Sequence, residues 1–447
     1  MENYVAAIDL GTTKIVTLVG EKTDSGYKIV AYREIPSKGI LRGEVVNIQN
    51  VLDSLIPVVE DIRREESIEI REVYVGIADM NIRSHPARLS RNRGRSADLI
   101  SEEEVKEMMD EMSNTRVSAG EKILHVIPQS FNVDDHMGVE TAVGMRGTRI
   151  EGDYRLFIGR ESSIEQSKLV INRTGLRLKD HILEPVASAK AVLEEDEMEL
   201  GVAMLDIGGG TTDLIIYHNN IIRHTAVIPF GGNSITEDLR QGCGVSLRNA
   251  EQIKIQFGSS YSEFAPENKT VVIPGPGGSE SREIAFKVIA SIIEARVEEI
   301  IEAVMYEIEH SGYQDMLRAG IVITGGTSQL TNIKQFVKLK TGYDVRIASP
   351  INNISYDDAY EICKPSASTA FGLLMLGLES DSKAEYKSQV INTLFSEEEL
   401  QTAEVTEAID KVNQTKNSSR KKRNILKRLP SVIGSIGSIF ENPNNEA

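Results

Sequence analysis

Short apolar or β-branched runs broken by turn residues open the chain. Residues 5–10, 15–20 and 28–34 read as the strands of a meander, and 73–78 and 123–127 as further strands. Elsewhere the apolar period becomes helical. Ser101 followed by Glu104 is a capping-box start for a helix over 102–112, whose Met108, Met109 and Met112 face a core. Across 283–310, Ile284, Val288, Ile292, Val297, Ile301, Val304 and Ile308 recur at helical steps, and Gly312 supplies the stop. Residues 371–378, after Pro365, form the last core helix. Strands alternating with helices over this length predict an α/β fold.

Past residue 379 the pattern is lost. Residues 380–419 are rich in Ser, Glu, Lys, Gln and Asn and read as a flexible linker, with a short helix around 396–412. A compact basic and apolar stretch, 420–440, follows.

Composition narrows the class. A 447-residue chain that is 40% hydrophobic can bury a large core, and its length suits about three domains. No run reaches the roughly 18 apolar residues of a membrane span, and the first ten residues lack the basic-then-apolar order of a signal peptide. A cytoplasmic protein is expected. Cys243 and Cys363 are too few for a disulfide framework and are expected reduced and buried. The net charge of −17 argues against general nucleic-acid binding. The arginines Arg88, Arg91, Arg93 and Arg95 read as a solvated loop or a contact surface, and 274–278, Pro-Gly-Pro-Gly-Gly, as a hairpin connection.

The chemistry sits in an internal repeat. Ala7-Ile8-Asp9-Leu10-Gly11-Thr12-Thr13-Lys14 is matched about two hundred residues later by Met204-Leu205-Asp206-Ile207-Gly208-Gly209-Gly210-Thr211-Thr212. Each copy is an apolar strand, an Asp, a glycine turn and two threonines. Glycine lets backbone N–H groups approach an anion, and threonine hydroxyls add donors. A carboxylate before such a turn cannot hold a phosphate, but it can hold Mg2+ through coordinated waters. Asp9 and Asp206 are therefore the candidate metal residues, and Lys14 supplies charge near a β- or γ-phosphate. A third element, Gly320-Ile321-Val322-Ile323-Thr324-Gly325-Gly326-Thr327-Ser328, runs a buried strand into paired glycines that a base and ribose can lie against. The P-loop and the Rossmann fingerprint are both missing.

These three elements resemble the phosphate-1, phosphate-2 and adenosine motifs of the actin/chaperone/sugar-kinase ATPase superfamily, in which they converge on Mg-ATP between two lobes. By the same resemblance Leu183-Glu184-Pro185 begins the connecting helix, with Glu184 orienting the attacking water. Phe230-Gly231-Gly232-Asn233 resembles the turn that approaches the phosphates. Glu251 and Lys254 either contact the adenosine or form a helical ion pair, and Ser328 completes the adenosine element. Too little chain follows residue 378 for a chaperone's substrate domain, and no paired carboxylate motif nominates a sugar kinase.

Further stretches, Val75-Gly76-Ile77-Ala78, His125-Val126-Ile127-Pro128-Gln129 and Val143-Gly144-Met145-Arg146-Gly147, resemble the bacterial cell-division FtsA family. The resemblance implies a two-lobed actin-like ATPase fold whose first lobe (1–82 and 162–198) carries an FtsA-type inserted domain, 83–161. The second lobe is then 199–230 and 313–379, with a smaller domain at 231–312. It also implies self-association into filaments, binding of the FtsZ C-terminal peptide, contacts with later divisome proteins, and at most slow ATP hydrolysis. Arg296 and Glu299 are candidate peptide contacts; otherwise they solvate the long helix. Another actin-like filament or pilus-assembly ATPase, or a turnover kinase, is the alternative.

The 420–440 stretch completes the expectation. Arg420, Lys421, Lys422, Arg423, Lys427 and Arg428 cluster positive charge, while Ile425, Leu426, Leu429, Val432, Ile433, Ile436 and Phe440 recur at helical steps. Such a segment lies in the interface of an anionic membrane rather than crossing it. Pro430 either kinks the helix or starts it. A peripheral position on the inner face of the cell membrane, at the division septum, follows.

Overall fold

The computed structural model describes residues 4–394 except 24–25, 67, 95–97, 274–280, 351–353 and 356–362; no side chain is described for 354–355 or 382–394. The membrane segment, the 274–278 connection and 395–419 of the expected linker lie outside these residues; the rest of that linker, 380–394, instead continues the last helix, which runs Ser368–Leu394.

The first turn motif joins strands Val5–Leu10 and Lys14–Thr23, antiparallel with Asp9 opposite Val16. They sit in a six-stranded sheet ordered Arg177–Leu183, Glu72–Ile77, Val5–Leu10, Lys14–Thr23, Gly26–Pro36 and Ile354–Ser355. Every residue of Val5–Leu10 is buried, because both faces of the sheet are covered. Val5 and Ala7 pack toward helices Glu184–Val192 and Ser368–Leu394, while Ala6, Ile8 and Leu10 pack toward Ile48–Glu65 and Glu161–Arg173.

The second copy repeats this arrangement. Val202–Ile207 and Thr212–His218 pair antiparallel with Asp206 opposite Asp213, and Gly320–Thr324 runs parallel on the other side with Thr324 opposite Asp206. This lobe's sheet continues into the inserted domain. The order is Val345–Ile347, Gly320–Thr324, Val202–Ile207, Thr212–His218, Ile221–Ile228, then Arg83–Asn92, Arg149–Arg160, Glu121–Val133 and His136–Val139. One residue pair, Ala226 with Arg83, bridges the two halves. Side chains reinforce the seam: Gln129 Nε2 donates to the Ile222 carbonyl (2.9 Å), and His224 lies between the Ser84 hydroxyl (2.9 Å) and Glu307 (3.1 Å).

The two lobes share a core. Val202, Met204, Ile215 and Val322 of the second pack with Leu183, Val186, Phe371 and Leu374 around the connecting helix Glu184–Val192 and the helix Ser368–Leu394. These helices cross so tightly that a Cβ on Gly372 would overlap the Ala187 carbonyl. Glycine is required there. Gly232–Cys243, Leu247–Phe257, a hairpin Thr270–Ile273/Arg282–Ala285 and the long helix Phe286–Ser311 share a core with the second lobe's sheet.

Several expectations need adjusting. The long helix begins at Phe286, since Arg282–Ala285 is held as a strand by Thr270–Ile273. The arginine-rich segment is the strand Arg83–Asn92 continuing to Arg93, and three of its four expected cations are paired: Arg88 with Asp153, Arg91 with Glu107 and Glu111, Arg93 with Glu104; Arg95 lies outside the described residues. Both cysteines are free thiols, but Cys363 is exposed and Cys243 half-buried. The capping box at Ser101 forms, with Met108 and Met112 buried.

Candidate functional site

The two glycine turns and the Gly325–Gly326 junction meet at the mouth between the lobes, around a cavity of about 500 Å3. Asp9, Gly11, Thr12, Thr13 and Lys14 line it from one side, and Asp206, Gly208, Gly209, Gly210 and Thr211 from the other. Gly232, Asn233, Glu251 and Lys254 close one end, with Gly325 and Gly326 beside them. Glu184, at the first turn of the connecting helix, also reaches the cavity.

Backbone geometry builds the second turn. Gly208 N–H donates to the Thr211 carbonyl (2.9 Å), and the carbonyls of Gly208 and Gly209 accept from the N–H groups of Gly232 (2.9 Å) and Asn233 (2.8 Å). The Phe230–Asn233 turn is thus the floor of the phosphate-type turn. Gly231 packs beneath it: a Cβ there would approach the Gly208 carbonyl to 2.7 Å. Gly325 has φ +86°, and a side chain on it would overlap Asp206 Oδ1.

Four carboxyl groups crowd this space. Asp9, Asp206 and Asp213 are buried, and each is shifted upward, chiefly by burial. Asp9 is pushed up to about 7 by burial, against the pull of Lys14 and with repulsion from Asp206 and Glu34. Burial and the charges of Asp9, Asp213 and Asp206 raise Glu184 as well. Asp206 Oδ2 accepts from Ser188 Oγ (2.6 Å) and Thr369 Oγ1 (3.0 Å), hydroxyls that the two crossing helices bring to it. Asp213 Oδ1 is buried without a hydrogen-bond partner. Such clustered, desolvated carboxyl groups are favourable when a cation shares the space.

Among the residues expected to bind the nucleotide, Gly231, beneath the turn, and Thr212 and Ser328 stay out of the cavity. The Thr212 hydroxyl is buried and donates to the Phe230 carbonyl (2.9 Å); that of Ser328 donates to the Gly325 carbonyl (2.7 Å). Both brace the turns. Glu251 and Lys254 form the ion pair (2.8 Å) and also line the cavity. Lys254 Nζ also donates to the Gly232 carbonyl (3.0 Å). Arg296 lies outside the cleft, in a neighbouring cavity beyond Gly209 and Gly210. It makes two bonds to Asp238 (2.6 and 3.0 Å), one to Glu299 (2.6 Å), and stacks over Phe230.

Sequence reasoning missed Glu34, Ser188, Asp213, Thr327, Ser366 and Thr369. Asp213 was within reach, as the residue after the repeated threonines facing Asp206 across the hairpin. Thr327 lies within the third glycine element and Ser188 on the connecting helix, one turn after Glu184, whereas Glu34, Ser366 and Thr369 come from distant segments with no motif of their own.

This arrangement, two lobes each presenting a glycine turn and a buried carboxylate to one cleft, defines an actin-like ATPase fold. Solved structures with that fold agree. The PilM–PilN type IV pilus biogenesis complex gives a TM-score of 0.60 at 14% identity over 84% of this chain and 98% of the matched one. MreB5 of Spiroplasma citri bound to ADP gives 0.51 at 16% identity over 87% and 99%. The family described as cell division protein FtsA matches residues 203–372, and the SHS2 domain inserted in FtsA matches 80–158. The cell division protein FtsA of Pseudomonas aeruginosa is 34% identical over 85% of this chain and 90% of its own length, and that of Bacillus subtilis 30% identical over 91% and 89%. The chain belongs to the FtsA family of cell-division proteins.

Proposed function

We propose that the cleft binds Mg-ATP, and that the nucleotide supports self-assembly of a protein that tethers the FtsZ ring to the inner face of the cell membrane. The observation that carries the nucleotide reading is the convergence of the two turns on carboxyl groups that need a cation. A Cβ on Gly209, Gly210 or Gly325 would strike Thr13, Thr12 or Asp206, so glycine lets the two turns and the carboxylate close on one another, and Asp213 Oδ1 has no protein partner. Asp9 and Asp206 hold Mg2+ through water, and Lys14 meets the β- or γ-phosphate. Thr12, Thr13 and Thr211 donate to phosphate oxygens. Glu184 orients a water, while Glu251, Lys254 and Gly325–Gly326 face the adenosine. The Spiroplasma protein of the same fold carries ADP, which agrees with this reading. Bound nucleotide supplies the phosphate charge and the metal that the carboxyl groups answer.

Family membership supports the division-site role. The FtsZ C-terminal peptide docks on the smaller domain of the second lobe, where Arg296 and Glu299 are candidate contacts. A peptide carboxylate there must share Arg296 with Asp238. Residues 420–440 lie on the anionic membrane surface. No described helix is long and apolar enough to cross a membrane. The test is flotation with anionic liposomes and purified FtsZ, with and without Mg-ATP. Co-flotation of FtsZ that requires this protein is expected; FtsZ remaining at the bottom with the protein afloat would overturn the tether.

A further inference from the structure

One cleft residue is given no role by the nucleotide reading, and it sits on the lysine which that reading needs most. Glu34 lies on Gly26–Pro36, opposite Val16, diagonal to Lys14 on the same face of the sheet. Lys14 Nζ donates to Glu34 Oε2 at 2.7 Å and to Ser366 Oγ at 3.2 Å. Tyr32, two residues back on the same strand, donates its hydroxyl to that Glu34 oxygen at 2.5 Å. Glu34 lines the cavity together with Lys14 and Ser366.

We propose that Glu34 is a resident competitor for Lys14, which grades nucleotides by the charge of their phosphate chain. The proposal rests on the nucleotide reading of the cleft. A phosphoryl oxygen that reaches Lys14 must displace the Glu34 carboxylate or lie beside it, and two anions on one ammonium repel at this range. A ligand with a long, highly charged phosphate chain can overcome that cost. One without phosphate never meets it. Tyr32 is the fallback: once Lys14 turns to phosphate, Glu34 keeps the tyrosine hydroxyl, so displacement does not strand a half-buried carboxylate.

The geometry ties two substitutions to opposite signs. Glu34→Gln keeps the shape and removes the competing charge. Mg-ATP and Mg-ADP should then bind about 3- to 30-fold tighter, the effect of deleting one opposed charge near a partly exposed cation, while adenosine binding is unchanged. Tyr32→Phe leaves Glu34 without that donor once Lys14 has turned to phosphate, so Mg-ATP should bind several-fold weaker, by the cost of stranding the carboxylate in the bound state alone. In the Glu34→Gln background, Tyr32→Phe should have no effect on Mg-ATP. Calorimetric titration of the full chain with Mg-ATP, Mg-ADP and adenosine, beside melting curves to certify folding, reads all of this. Unchanged or weaker Mg-ATP binding by a folded Glu34→Gln protein, in titrations where the unmutated protein binds Mg-ATP normally, overturns the competitor. Absence of Mg-ATP binding by the unmutated protein overturns the cleft reading itself, and the competitor with it.

Discussion

Thr13 and Gly209 touch across the cleft: a Cβ on Gly209 would overlap the Thr13 hydroxyl of the opposite lobe. The tips of the two repeated turns are therefore in contact with each other as well as with the cavity. Gly209→Val should wedge the lobes apart and fill the space a phosphate needs. Overpacking of this kind costs about 1–3 kcal/mol. A melting temperature lowered by a few degrees, together with loss of Mg-ATP binding in calorimetry, is the expected outcome. Nucleotide affinity equal to that of the unmutated protein would remove the turn from the site.

The raised carboxyl groups should make the proposed nucleotide binding proton-linked. Burial pushes Asp9 up to about 7 in the folded protein, from an ordinary 3.8. Between those values the folded chain keeps a proton the unfolded chain has released, so stability without ligand should fall as pH rises from about 4 to about 7. Glu184, Asp206 and Asp213 are shifted in the same direction. A bound cation favours the charged form, so Mg-ATP binding below pH 7 should expel protons and strengthen as pH rises to 7. Calorimetry at pH 6.5 in two buffers of different ionisation heat measures this. Equal heats in both would rule out the linkage.

Arg296 has a structural partner in Asp238 and a proposed one in the FtsZ peptide, and mutation can separate the two. Its bidentate bond to Asp238 ties the long helix Phe286–Ser311 to Gly232–Cys243. Arg296→Glu should cost about 1 kcal/mol of stability and also weaken FtsZ peptide binding in fluorescence anisotropy. Asp238→Asn should share the first effect without the second, because it leaves the arginine charge free for a peptide carboxylate. If both variants bind peptide normally, Arg296 is a structural residue only.

The 420–440 segment predicts salt-sensitive attachment. A chain ending at Ser419 should fail to float with anionic liposomes, and Ile433→Asp should abolish flotation with the basic cluster intact. Each basic residue near an anionic leaflet contributes about 1 kcal/mol, so raised salt should weaken binding by the full-length chain. Flotation of the truncated protein would move the anchor elsewhere.

The sequence disclosed what is local. Asp9, Gly11 and Thr12 occupy a run in which strand, turn and carboxylate follow one another, and the second copy repeats the run. Ser101 and Glu104 are three residues apart, so their capping box could be read directly. Ser188 and Thr369 lie far apart in the chain, yet both bond Asp206 because two helices cross at Gly372. Nothing in either neighbourhood signals that. Glu34 was hidden for a similar reason, since a charged residue on a strand that alternates in and out reads as solvent-facing until the cleft curls over it. The arginines of Arg83–Asn92 misled in the other direction. Their acidic partners lie on other elements, so a paired strand looked like an unpaired loop.

The seam between Ile221–Ile228 and Arg83–Asn92 bears on any attempt to pare the molecule down. The inserted domain leaves and re-enters the chain beside the first lobe, but it shields the open side of a second-lobe strand through Ala226, Ile222 and His224. Excising 83–161 to obtain a minimal two-lobed actin would uncover that strand's unpaired N–H and C=O groups, the template on which sheets stick to one another. The insert is thus a cover as well as a module. A shortened chain that aggregates would be reporting a bare edge, not a lost partner.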